Sequence, residues 1–108
     1  MAKLLKSVNG DFDQILQNIV SGILNSSISA TLEEAEDFRE GNARCSVRVF
    51  ERYSYFGNNR VSMTVTLFQE GNGIIHVSGI TAGGSQAIFF KINTVGEEAF
   101  LDKLREIL

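Results

Sequence analysis

Few residues in this chain are able to do chemistry: its 108 residues include one Cys, Cys45, and one His, His76. Acid–base or nucleophilic catalysis usually sets such a side chain beside a partner that tunes it. Cys45 falls in an alternating apolar run, on the face expected to be buried, where a free thiol behaves as a small hydrophobe. His76 stands between Ile75 and Val77 with the parity of Ser78, which suits a half-exposed strand residue better than a base. One His with scattered carboxylates lacks metal-ligand spacing, and no His-Glu-x-x-His, Cys-x-x-Cys or Gly-x-Ser-x-Gly run occurs. Gly79 to Ser85, GITAGGS, has the glycines of a phosphate loop but not the Lys that must follow them. Gln86 and a strand-like Ala87–Phe90 come next instead of a helix. A turn is the better reading, its N–H groups offering at most a weak anion nest. No cofactor is implied, no metal is implied, and the balance tilts away from an enzyme.

Charge is organised more clearly. Glu33, Glu34, Glu36, Asp37 and Glu40 are followed directly by Arg44, Arg48, Arg52 and Arg60. Adjacent strand residues point to opposite faces, so neighbouring carboxylates do not converge. Cross-strand pairing with the arginines, at ~0.2–1 kcal/mol per pair, explains them without catalysis. A register setting Glu36 against Arg48 also sets Glu33 against Glu51 and turns Ile28 and Leu32 to the polar side. A bulge or bend must intervene if this stretch is a strand.

Those charges need a scaffold. Alternation over Ala43–Tyr55 sends Cys45, Val47, Val49, Tyr53 and Tyr55 inward and Arg44, Ser46, Arg48, Phe50 and Arg52 outward. Over Arg60–Phe68, Val61, Met63, Val65 and Leu67 point inward, and Ser62, Thr64, Thr66 and Phe68 outward. One apolar and one polar face describe an antiparallel sheet covered on one side. Lys3–Val8 predicts a first strand. Asp11–Asn25 predicts a helix with Phe12, Ile15, Leu16, Ile19 and Ile23 on one face, and Asp11 with Gln14 forming its cap. Ile28–Phe38 alternates like a strand, although Leu32–Glu36 also has helical propensity; the following Gly41-Asn42 resembles a hairpin turn and favours the strand. Ile74–Thr81 and Gln86–Asn93 supply two further strands. Thr94 with Glu97 predicts the cap of a last helix running to Leu108. Gly and Asn clusters at 41–42, 57–59, 71–73 and 83–84 are spaced as turns of a meander.

Length and composition fit one domain over residues 1–108: 44% hydrophobic and 21% charged, with no Pro. No apolar run nears the ~18 residues of a membrane span, and the first residues are too short in apolar content for a signal peptide. A single Cys suits a reducing, cytoplasmic compartment. A net charge of −3 argues against a dedicated nucleic-acid binder.

The expected order is β-α-β-β-β-β-β-α, an α+β fold with a curved antiparallel sheet and two helices on one face. That order resembles the TATA-binding-protein-like and helix-grip folds, a likeness that carries no function. The tracts Glu51–Ser62, ERYSYFGNNRVS, and Gly84–Leu101, GSQAIFFKINTVGEEAFL, resemble a family of small uncharacterised proteins from Gram-positive bacteria. The resemblance runs the length of the chain and implies a bacterial, cytoplasmic domain without supplying catalytic residues.

The functional expectation is a non-enzymatic binding or self-association module. Its surface would be the outward sheet face, Arg44, Arg48, Phe50 and Arg52 with Thr64 beside them, offered to a protein or a small anionic ligand. A homodimer is expected from the slightly positive mean hydropathy of +0.02 and the outward Phe50 and Phe68. The competing expectation is a small-molecule carrier or enzyme with a cleft between sheet and helices, lined by Val47, Val49, Tyr53 and Met63.

Overall fold

A computed structural model describes residues 1–54, 59–83 and 90–108. Asp11 has extended backbone and its carboxylate accepts the Gln14 N–H at 2.9 Å, so helix α1 (Phe12–Asn25) starts where its cap was expected. Before it lies β1 (Ala2–Val8); after it come β2 (Thr31–Glu40), β3 (Ala43–Ser54), β4 (Asn59–Glu70), β5 (Ile75–Gly83) and helix α2 (Phe90–Ile107). The described strands form one open antiparallel sheet in the order β1-β5-β4-β3-β2. The protein is therefore of the α+β class, with two helices packed on the same side of the sheet.

The expected strand over Gln86–Asn93 has its first part, 86–89, outside the described residues. Residues 90–93 belong to α2. Thr94 consequently lies inside that helix rather than capping it. A short apolar run such as 87–92 has no period that separates strand from helix, which explains the misreading. Glu97 is only 4% exposed and serves a tertiary contact: it accepts the Gly83 N–H at 2.7 Å and meets the Met1 amine at 2.6 Å.

The strand reading of the acidic segment holds, but the expected register does not: Ala35 pairs with Arg48 and Glu36 with Val47, so Glu34 and Glu36 face away from the arginines, and a bulge lies further back in the strand. Between Leu32 and Glu34 the register shifts, leaving Glu33 as the extra residue. Leu32 then pairs with Phe50 on the helix side, while Glu34 pairs with Val49 on the other.

The core lies between sheet and helices: Phe12, Ile19 and Ile23 of α1, Phe100, Leu101 and Leu104 of α2, Val61, Met63, Val65 and Leu67 of β4, and Ile75 and Val77 of β5. Phe50 belongs to it, at 0% exposure. That fixes the parity of β3 opposite to expectation. Phe50 pairs with Met63, Arg48 with Val65, Ser46 with Leu67 and Arg52 with Val61, so the even-numbered residues of β3 face the helices. Cys45, Val47, Val49 and Tyr53 face away.

Candidate interaction surface

The reversal is stabilised by arginine stems and rings. Arg44 lays its guanidinium 3.9 Å from the Phe12 ring centroid and donates to both Asp13 oxygens, at 2.8 and 3.3 Å. Those bonds hold the Asp13 carboxyl below its ordinary pKa. Arg52 sits 4.7 Å from the Phe100 ring, and burial pushes its guanidinium pKa down. Arg48 and Ser46 both donate to Asp37 across the β2–β3 pair, at 3.0 and 2.6 Å. Ser46 first and Arg48 second depress the Asp37 pKa. The long apolar stems let charged residues occupy the helix side while their heads reach its rim.

The five residues expected to form one surface are thus divided. Arg44, Arg48, Phe50 and Arg52 stand on the helix side, Phe50 inside the core, and Thr64 alone stands on the open side. The proposed small-molecule cleft does not form for the same reason: Met63 is in the core, whereas Val47, Val49 and Tyr53 are across the sheet from it. A polar groove of about 290 Å³ does exist at the start of α1, lined by Asp11, Arg39, Asn42, Arg44 and Gln69 among others. Asp11 already caps the helix there and Arg44 is paired with Asp13.

The open face is the unusual surface. Its rows follow from the register. One row runs Phe38, Cys45, Phe68, His76, Ser7 across β2, β3, β4, β5 and β1. The next runs Glu36, Val47, Thr66, Ser78, Leu5, and the third Glu34, Val49, Thr64, Ile80, Lys3. Leu5 is 75% exposed, Phe38 57%, Tyr53 52%, Phe68 42% and Ile80 40%, and all five lie on this one face. No element among the described residues covers it. Large apolar side chains gathered on one exposed face commonly mark a contact surface.

Cys45 is half-buried on this face instead of in the core. His76 is exposed, as expected; its Nδ1 lies 3.1 Å from the Ser7 hydroxyl and its ring stacks on Phe68 with centroids 6.5 Å apart. A Ser–His contact of this length resembles a nucleophile and base, but it lies on an open strand surface, and among the described residues no carboxylate is hydrogen-bonded to the ring. Among the described residues no cluster of His, Cys, Asp and Glu could hold a metal, and no helix is long and apolar enough to cross a membrane.

An α+β protein whose sheet is covered on one side and carries exposed large apolar side chains among polar ones on the other is what fold and surface define. The chain belongs to a family of unknown function, DUF6054, which matches it over residues 1–108. No curated protein and no solved structure matches it. Sequence reasoning missed the apolar row Phe38–Cys45–Phe68 because it turned β3 over; the Phe50–Met63 pairing was the signal that would have found it.

Proposed function

We propose that this protein is a non-enzymatic binding module that works through the open face of its sheet. The observation that carries this reading is the clustering of Leu5, Phe38, Tyr53, Phe68 and Ile80 on the uncovered side. Strands hold such side chains rigidly at ~7 Å intervals, which suits a flat, preorganised contact with another protein. A small-molecule carrier is disfavoured because core side chains fill the space between sheet and helices. The lone thiol of Cys45 and the likeness to small Gram-positive proteins favour a bacterial cytoplasm as its place of work.

The test is photo-crosslinking in cells, from a reactive side chain at Thr64 in the centre of the open face and, as control, at the exposed Gln17 of α1. Discrete protein adducts from position 64 and none from 17 are expected. The same pattern from both positions would overturn the reading.

A further inference from the structure

Resting on that reading of the open face, we infer that its partner is a second copy of this chain, packed face to face about a two-fold axis that runs along β4. Three observations lead there.

The first is charge. On the open face the β2 edge is acidic, with Glu34, Glu36 and Glu40, while the β1 edge carries Lys3. Among the described residues none of these four side chains has an ion-pair partner within the chain. Lys3 and Glu34 lie in the same row, at opposite ends, joined through Ile80, Thr64 and Val49. β4 is the middle strand of the five. Rotation by half a turn about β4 keeps each row over itself and reverses it, so Glu34 of one copy lies over Lys3 of the other. The alternative two-fold, perpendicular to the strands, lays β2 over β2 and drives Glu36 against its own copy. Like charges set against each other cost affinity, and the axis along β4 avoids this contact.

The second is apolar contact beside the axis. The same rotation sets Val49 over Ile80 and Phe68 over Phe68 at the axis. The apolar contacts thus flank the axis and the Glu34–Lys3 pairs stand at the rim, while the middle row sets Thr66 on Thr66, Val47 on Ser78 and Glu36 on Leu5. Aligned packing of two sheets, crossing at about 30°, moves the edge residues by less than one side-chain interval, so Lys3 stays within reach of Glu34.

The third is size. Five strands at ~4.8 Å spacing, over about four side-chain rows of ~7 Å, give a footprint of roughly 650 Å² per copy. Two such footprints reach about 1,300 Å², within the ~1,200–2,000 Å² that specific stable complexes bury.

Light scattering coupled to size exclusion, on the full chain at low salt and 10–100 µM, tests the pairing. The parent is expected at twice the chain mass of 11.9 kDa. Phe68→Glu should run as a monomer with an unchanged circular dichroism spectrum, since its side chain lies outside the core. Lys3→Glu and Glu34→Lys should each raise the dissociation constant about tenfold, because each puts two like-charged contacts in the dimer. The double reversal should restore parental affinity. A parent monomeric throughout the range overturns the pairing, and so does a dimer that Phe68→Glu leaves intact. Failure of the double reversal to rescue overturns the axis. A monomeric parent that still crosslinks to other proteins from position 64 would reject self-association while leaving the open-face reading in place.

Discussion

Phe50 and Phe68 sit on neighbouring strands and occupy opposite sides of one sheet, so the same side chain does two different jobs. Phe50 is fully enclosed between Leu32, Met63 and the helices. Phe50→Ser should destabilise the fold by about 3–5 kcal/mol, the range for truncating a buried aromatic. Phe68→Ser, on the open face, should cost the single chain about 1 kcal/mol or less, any further loss being the part that depends on protein concentration. Urea unfolding of both variants decides the matter; equal losses would mean that β3 presents its other face to the helices. Asp37 offers a second test at this scale. Its carboxyl is held below the ordinary value of 3.8 by the Ser46 hydroxyl and the Arg48 guanidinium. A depressed folded pKa contributes stability that is present above the unfolded value and disappears as pH falls through the folded one. The Tm gap between parent and Asp37→Asn should therefore be open at pH 6 and close as the pH falls below the ordinary value of 3.8 and through the depressed folded one. A gap that stays constant with pH would show that the carboxylate charge is not what the pair uses. Asp37 is well exposed, so the gap is expected to be small.

The helices reach the sheet by close approach, and glycine makes the room. A Cβ built on Gly79 of β5 would run into Leu104 and come within 3.2 Å of Leu101, both in the core. Gly79→Ala should cost about 1–3 kcal/mol by overpacking. Combined with Leu104→Ala it should lose clearly less than the sum of the single changes, because the second change vacates the space the first one needs. Strict additivity in thermal or urea unfolding would remove α2 from this position. Gly22 of α1 is used differently: a Cβ there would stand 2.6 Å from the tip of Ile107, in the last turn of α2. The ~1 kcal/mol of helix propensity forgone at Gly22 thus makes space for the second helix. Most elements were readable from period and turn chemistry: the Asp11 cap, the α1 stripe and the alternation of β4 each state themselves locally. An irregularity in β2 was expected for a different reason, a Glu36–Arg48 register that the structure does not have: Arg48 pairs with Ala35, and Glu36 with Val47 on the open side. The face of β3 was not readable. Both of its faces carry apolar residues, and Arg44 and Arg52 look like surface residues until Phe12 and Phe100 are known to lie beneath them. Parity gives the alternation of a strand but not its sign.

At the scale of the whole molecule, a sheet covered on one side must either tolerate an apolar face in water or bury it against something. If a second copy does this, folding and association are one equilibrium, and stability depends on concentration. Unfolding releases ~2.1 cal/mol/K per residue near 60 °C, about 0.45 kcal/mol/K for two chains of this length. A tenfold rise in concentration adds about 1.4 kcal/mol to the dimer. The midpoint should therefore climb by about 3 °C for each tenfold increase between 1 and 100 µM. Phe68→Glu should remove that slope by making folding unimolecular, with little change in the unfolding enthalpy per chain. Raising the salt concentration should lower the parent's midpoint only slightly, because the Lys3–Glu34 contact is screened while the apolar centre around Phe68, Val49 and Ile80 is not. A midpoint independent of concentration for the parent would show that the open face is not closed by a second copy. It would direct the search to a partner of different sequence, one with a basic edge to meet Glu34, Glu36 and Glu40.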